Sequence, residues 1–182
     1  MKKFLFIVIS DKPQAGKTTV ANYIAELTGG VRISTSDAIL PRIAEKVGLT
    51  VDEIKTRRKP NPDFLRAELI TEGDKMRDEN YPPGIACLDM VNGYNFIALD
   101  GIRRATELIA TKRSAKQKGY RAIVIYVIRK DNNTEQDNTE LGLQSMAHYW
   151  IFNKSDLITL KGKVKKTLQE IDVVANSRVK SL

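Results

Sequence analysis

The chain has 182 residues, a length that suits one domain. Hydrophobic residues make up 42% and charged residues 29% of the chain, which allows a buried core and excludes a disordered tail. The formal net charge of +8 favours anionic partners such as phosphates, nucleotides, nucleic acids or acidic membranes. Cys87 is the only cysteine, which excludes an intramolecular disulfide and a zinc site built from several cysteines.

The N-terminal apolar run from Phe4 to Ile9 follows two lysines, as the apolar run of a signal peptide does. This run is too short to span a membrane, and no cleavage site of small residues follows it. A loop that ends in Gly16-Lys17-Thr18 follows instead. We therefore interpret the run as a buried first strand, and we expect a cytoplasmic protein without a membrane span.

Strands and helices are predicted to alternate along the chain. The predicted strands cover residues 3–9, 31–34, 94–99, 122–128 and 148–152. The predicted helices cover residues 17–28, 63–77, 85–91, 141–147 and 155–176. Ser36 or Asp37 is expected to cap a further helix that carries Ile39 to Val47, and Thr50 to cap another brief helix. A basic helix follows the third strand, with Ile102, Ala105, Leu108 and Ile109 on its inward face. This order predicts one domain over residues 1–182, an α/β fold of three layers (α/β/α) with a mostly parallel five-stranded sheet.

The segment from Asp11 to Thr18 (DKPQAGKT) lies directly between the first strand and the first helix, which is the position that a P-loop requires. Its backbone N–H groups and the helix N-terminus would bind the β- and γ-phosphates of ATP. Lys17 would neutralise charge on the transferring phosphoryl group, and the Thr18 hydroxyl would ligate Mg²⁺. The predicted nucleotide-binding residues of this segment are Pro13, Gln14, Ala15, Gly16, Lys17, Thr18 and Thr19.

The P-loop departs from the usual pattern at two positions. Asp11 stands where glycine is the rule, and Gln14 stands where many nucleotide kinases have a second glycine. Asp tolerates a left-handed backbone better than most residues, so the turn can still form. An ordinary turn, or a loop that binds nucleotide poorly, remains an alternative.

Four further segments, in this order, resemble the nucleoside monophosphate kinases. They are most similar to the phage-type deoxynucleoside monophosphate kinases and to the dephospho-CoA-kinase-like and adenylate-kinase-like small kinases. The segments are Ser34 to Asp37 with Arg42, Arg66 to Arg77, Asp100 to Arg103, and Ala147 to Ser155. With the P-loop, the resemblance covers residues 3 to about 172.

The resemblance implies an Mg²⁺-dependent kinase that transfers the γ-phosphate of ATP to a nucleoside or deoxynucleoside monophosphate. The acceptor would lie in a helical insertion over residues 37–92. Its predicted ligands are Asp37, Arg42, Arg66, Arg77, Asp100 and Arg103. A kinase for another phosphorylated metabolite, such as dephospho-CoA, is the alternative within this class.

Two acids follow strands at the carboxyl edge, where ligands bind in open α/β sheets. Asp37 could orient or deprotonate the acceptor, or simply cap a helix, and Asp100 could hold Mg²⁺ through water or serve as a turn residue. Arg129 ends the fourth strand and could contact the ATP phosphates or stack on adenine. Asn153 would contact the adenine edge. The predicted catalytic residues are Lys17, Asp37, Arg103 and Arg129.

Two departures from the family favour other hypotheses. His148 replaces the usual aspartate of the last segment, and residues 129–140, at the position of an arginine-rich lid, are largely acidic. A second subunit of a homodimer could supply the missing arginines. A regulatory module that binds nucleotide without turnover is the alternative from another class. Nucleic-acid binding by the basic helix is not expected, because the chain lacks a patch in which aromatic and basic residues alternate.

Overall fold

A computed structural model of the protein describes residues 2–10, 12–61, 63–91, 93–129, 142–154 and 156–173. The strands are β1 (Lys3–Ile9), β2 (Val31–Ser34), β3 (Phe96–Asp100), β4 (Tyr120–Ile128) and β5 (Tyr149–Phe152). The helices are α1 (Lys17–Thr28), α2 (Thr35–Val47), α3 (Val51–Arg58), α4 (Arg66–Asp78), α5 (Pro83–Met90), α6 (Ala105–Gln117) and α7 (Leu157–Glu170).

The five strands form one parallel sheet in the order β2-β3-β1-β4-β5. β1 is the central strand, and its residues from Phe4 to Ile9 are all buried. A strand that is covered on both faces consists of a continuous apolar run, and this run is what the sequence contains. The predicted α/β architecture with a five-stranded sheet is confirmed.

The helices cover both faces of the sheet and create two hydrophobic cores. Leu5, Ile7 and Ile9 point into the core that includes residues of α2, α5 and α6. Phe4, Phe6 and Val8 point into the opposite core, with residues of α1 and α7. This alternation follows from the two-residue repeat of a strand, and it confirms the three-layer arrangement.

The helix boundaries differ from the prediction where a cap was misassigned. α2 begins at Thr35, because Ser34 is its N-cap and the Asp37 carboxylate accepts a hydrogen bond from the Ser34 N–H at 2.9 Å. α4 begins three residues later than predicted, after Leu65 in a left-handed conformation. α7 begins after its N-cap Asp156 and ends at Glu170.

Two further sequence predictions are corrected. Ile109 was expected to face inward but is 47% exposed, because Leu108, Thr111 and Ala115 form the buried stripe of α6. The short helix predicted over 141–147 is a single 3₁₀ turn at Gln144–Met146. Within the part of the chain that the structure describes, no helix has the length and apolar character that a bilayer crossing requires. Apart from Arg129, the predicted lid at 129–140 lies outside the described residues.

Candidate active site

The P-loop connects β1 to α1, and its conformation depends on Gly16. Gly16 is the N-cap of α1 and has a φ of 97°, a left-handed conformation that L side chains rarely adopt. A Cβ atom at this position would lie 2.5 Å from Asn153 Nδ2. Since glycine has no side chain, no cap side chain accepts the first N–H groups of α1. These groups carry the partial positive charge of the helix N-terminus, which attracts phosphate.

Three side chains donate hydrogen bonds to carbonyl groups of the P-loop. Asn153 Nδ2 donates to Ala15 O at 2.8 Å, and Arg129 Nη1 donates to Gln14 O at 3.3 Å. Lys17 Nζ donates to Lys12 O at 3.2 Å. Arg129 and Asn153 each directly follow a strand, β4 and β5 respectively, so the sheet fixes where they meet the loop. The adenine contact expected of Asn153 stays a prediction.

The P-loop borders a cavity of about 490 Å³, a volume in the range of small-molecule sites. We call it the donor cavity. It is lined by Gln14, Ala15, Gly16, Lys17, Thr18, Thr19, Arg129, Asn153, Lys154, Asp156, Leu157 and Leu160. All predicted nucleotide-binding residues except Pro13 therefore lie around one space.

The donor cavity has the groups that a magnesium-bound triphosphate requires. It combines an uncapped helix N-terminus, a lysine and the hydroxyl of Thr18, the second residue of α1. Among the described residues, no three His, Cys, Asp or Glu side chains converge to hold a metal ion alone. Mg²⁺ is commonly held by substrate phosphates and one or two protein oxygens, and this donor set fits that mode.

A second cavity of about 190 Å³ lies at the carboxyl ends of β2 and β3. We call it the acceptor cavity. It is lined by Ser34, Thr35, Ser36, Ile39, Arg58, Arg66, Leu69, Ile70, Asp74, Arg77, Gly101, Arg103 and Arg104. Gly101 (φ 92°) allows the end of β3 to approach α2, where Thr35 Oγ1 donates to Gly101 O at 2.9 Å. β3 pairs directly with β1, so both cavities lie along the same edge of the sheet.

Five arginines line the acceptor cavity, including the predicted residues Arg66, Arg77 and Arg103. Burial and the nearby charges of Arg66 and Arg103 lower the pKa of Arg58, while Asp63 acts in the opposite direction. Arg58 therefore lies near the like charges of Arg66 and Arg103. Sequence reasoning missed Arg58, because a basic residue in the last turn of a helix usually interacts only with the helix dipole.

Arg77 is held in the cavity wall by two carboxylates. Its Nη1 donates to Asp74 Oδ1 at 2.7 Å, and Arg104 Nη2 donates to the same oxygen at 2.6 Å. Nε and Nη2 of Arg77 donate to Glu107 Oε2 at 3.0 and 2.9 Å. Glu107 is fully buried, and its Oε1 accepts the N–H of Gly84 in the first turn of α5 at 3.1 Å.

Three other predicted site residues are engaged with the protein. Arg42 pairs with Glu79 at 2.8 Å and with Glu72 at 3.5 Å, and it does not line the acceptor cavity. Asp37 completes the α2 cap through Oδ2, and its Oδ1 lies 3.0 Å from Lys55 Nζ. Asp100 is bound by Arg32. Their proposed contacts with acceptor or metal stay predictions.

No protein-family model matches the chain, and no curated protein sequence matches it. Among solved structures, shikimate kinase from Acinetobacter baumannii in complex with shikimate has 20% sequence identity and a TM-score of 0.50, covering 99% of this chain and 97% of that chain. The dephospho-CoA kinase from Campylobacter jejuni has 15% identity and a TM-score of 0.48, covering 94% and 98%. The chain therefore has the three-layer α/β fold of the P-loop kinases, shared over almost its whole length with that shikimate kinase.

Proposed function

We propose that the protein is a kinase that transfers the γ-phosphate of ATP to a small acceptor carrying an anionic group. The observation that carries this proposal is the pair of cavities at one edge of the sheet. One is built on a P-loop, and the other is lined by five arginines. Because they follow the adjacent strands β1 and β3, a donor phosphate and an acceptor would meet between them.

On the donor side, the chain supplies positive charge and fixed geometry. Phosphoryl transfer needs little covalent help from the protein, and most of its catalysis is positioning and charge stabilisation. The α1 N-terminus would bind the phosphates, Lys17 would exchange the Lys12 carbonyl for a phosphate oxygen, and Arg129 would stay at the loop. When bound, Mg²⁺ supplies further neutralisation of charge on the phosphate oxygens.

On the acceptor side, we favour a phosphate monoester, in particular a nucleoside or deoxynucleoside monophosphate. Arg58 lies near the like charges of Arg66 and Arg103, and a dianion would offset this positive charge more than a single carboxylate would. Ile39, Leu69 and Ile70 add apolar surface on which a base can pack. Dephospho-CoA, which also carries phosphate, is the second candidate.

The test is ADP formation from Mg-ATP with a panel of acceptors. The panel contains nucleoside and deoxynucleoside monophosphates, dephospho-CoA and shikimate. We expect a phosphate monoester to accelerate ADP formation, and Lys17→Ala to reduce that rate by at least about a hundredfold. Lys166→Ala, an exposed position on α7, is the matched control and should keep the rate.

The alternatives have distinct signatures in the same assay. Turnover with shikimate alone would contradict the phosphate-monoester acceptor but keep the kinase. ATP binding without ADP formation for any acceptor would contradict the kinase and support a regulatory nucleotide-binding module. Absence of ATP binding would show that the departures at Asp11 and Gln14 disable the loop.

A further inference from the structure

A partly buried ion pair joins β2 to the end of β3, beside the strand that leads into the P-loop. Arg32 Nε donates to Asp100 Oδ2 at 3.1 Å, and Arg32 Nη2 donates to Oδ1 at 3.1 Å and to Oδ2 at 2.9 Å. The Asp100 side chain is 4% exposed and that of Arg32 is 29% exposed. The guanidinium fork therefore engages both oxygens of a carboxylate that solvent barely reaches.

Strand register places this carboxylate on the α1 side of the sheet. Asp100 is opposite Val8 of β1, one residue before the end of that strand. Ala98 lies on the same face of β3 as Asp100, and it packs in the core that contains Val20 and Ala21 of α1. Arg32 is opposite Ala98 on β2, so its side chain extends along this face to reach Asp100.

The sequence indicates that Asp100 could hold Mg²⁺ through water, because it lies at the carboxyl edge of the sheet. In this chain a permanent cation already neutralises it. A divalent ion that approached Asp100 would meet the positive charge of Arg32, and removing Arg32 would leave the buried Asp100 carboxylate without its cation. Arg32 and Mg²⁺ therefore compete for one carboxylate.

We propose that Arg32 is a positioning residue that occupies Asp100 and prevents a divalent cation from binding there in the nucleotide-free protein. The inference rests on the proposed function and deepens it, because the metal would then enter only with the nucleotide, on phosphate oxygens and the Thr18 hydroxyl. Arg32 thus sets the metal requirement of the donor site without contacting the reacting atoms.

The test measures Mn²⁺ binding to the nucleotide-free protein by electron paramagnetic resonance of the free ion. We expect equally weak binding by the wild type and by Asp100→Asn, because Asp100 is not available to the ion. Arg32→Gln should bind Mn²⁺ at least about tenfold more tightly, and the double variant Arg32→Gln/Asp100→Asn should return to the wild-type affinity. Arg113→Gln, an exposed arginine on α6, is the matched control.

Three results would overturn the proposal. These are weaker Mn²⁺ binding by Asp100→Asn than by the wild type, no tightening in a folded Arg32→Gln, or tightening that persists in the double variant. Circular dichroism checks folding. If Arg32→Gln does not fold, Arg32→Met, which also removes the positive charge, should tighten Mn²⁺ binding by a similar factor, and unchanged binding by a folded Arg32→Met would contradict the proposal. No acceptor or nucleotide is present, so failure of the kinase assay leaves this result unaffected.

Discussion

The Gly16 backbone and the Asn153 side chain form a contact that admits no additional atom. The Asn153 amide donates to Ala15 O, and a Cβ on Gly16 would lie 2.5 Å from that amide nitrogen. The left-handed φ of Gly16 adds strain for any other residue. Two independent features therefore require glycine at this position: the left-handed backbone and the close approach of the Asn153 side chain.

Gly16→Ala is expected to weaken ATP binding at least about tenfold, because the loop must move away from Asn153. Isothermal titration with ATP measures the change. Gly29→Ala is the matched control, since Gly29 also has a positive φ (66°) but meets no atom within 4 Å of an added Cβ. If backbone strain alone weakened binding, the double variant Gly16→Ala/Asn153→Ala would bind ATP no better than Gly16→Ala. If the clash with Asn153 contributes, the double variant should recover part of the ATP affinity.

His148 accepts a hydrogen bond at its ring nitrogen from the backbone. Val124 N–H donates to His148 Nδ1 at 2.9 Å, which requires that this nitrogen carry no proton. Partial desolvation, followed by the charges of Lys112 and Arg121, lowers the pKa of His148 below its ordinary value. The folded state thus resists protonation of this ring more than the unfolded chain does.

The lowered pKa of His148 determines how the stability of the protein changes with pH. Below the unfolded pKa of about 6.5, the unfolded chain binds the proton first, so the free energy of unfolding should fall as the pH decreases. Urea unfolding should show that the free energy of unfolding decreases more between pH 7.5 and pH 5.5 for the wild type than for His148→Gln. Because much of this side chain is exposed, the difference should be small. An equal loss in both proteins would contradict the role of His148.

At the scale of elements, Glu107 joins three helices around the acceptor cavity. It lies on α6, binds Arg77 of α4 through Oε2 and accepts the Gly84 N–H of α5 through Oε1. A buried carboxylate is stable only when it is paired and hydrogen-bonded, and this one is both. The relative positions of the helices behind the cavity therefore depend on one charged group.

Glu107→Gln should lower the free energy of unfolding by about 3 kcal/mol, because it removes the buried one of the two carboxylates that pair with the Arg77 guanidinium. Urea denaturation measures this effect. Glu45→Gln, on the exposed face of α2, is the control and should change stability little. If Glu107→Gln lowered the free energy of unfolding no more than the control does, the Arg77–Glu107 ion pair would make no net contribution to stability.

The sequence predicted those elements whose signals are local. The apolar run of β1 is an example, and the structure confirms it. The P-loop was also recognisable, because its residues are contiguous. The position of Arg58 in the cavity could not be predicted from the sequence, and neither could the ion pairs Arg32–Asp100 and Arg77–Glu107. Each of these contacts joins segments that are far apart in the chain and depends on how helices and strands pack.

At the scale of the whole molecule, the formal charge of +8 and the arginine-lined cavity act in the same direction on an anionic acceptor. Charge of this kind raises the local concentration of an anion and is screened by salt. The acceptor cavity concentrates the effect, because five arginines line it.

The KM for the acceptor should therefore rise several-fold between about 50 and 300 mM KCl, as screening weakens the attraction of the arginines. Arg58→Met should raise that KM at low salt and flatten its dependence on salt, because one of the charges is gone. Steady-state kinetics at saturating ATP measures both. Arg113→Met on the exposed face of α6 controls for net charge, and an equal flattening by this variant would show that the cavity has no special role.

The strand order also determines when the protein can fold. β1 at residues 3–9 is synthesised first, yet its sheet partners are β3 at residues 96–100 and β4 at residues 120–128. Until the ribosome has released those segments, this strand, whose residues from Phe4 to Ile9 are buried in the folded protein, has neither of its neighbours, and such distant pairings form slowly. The apolar segment that leads into the loop before α1 thus needs protection from aggregation during synthesis.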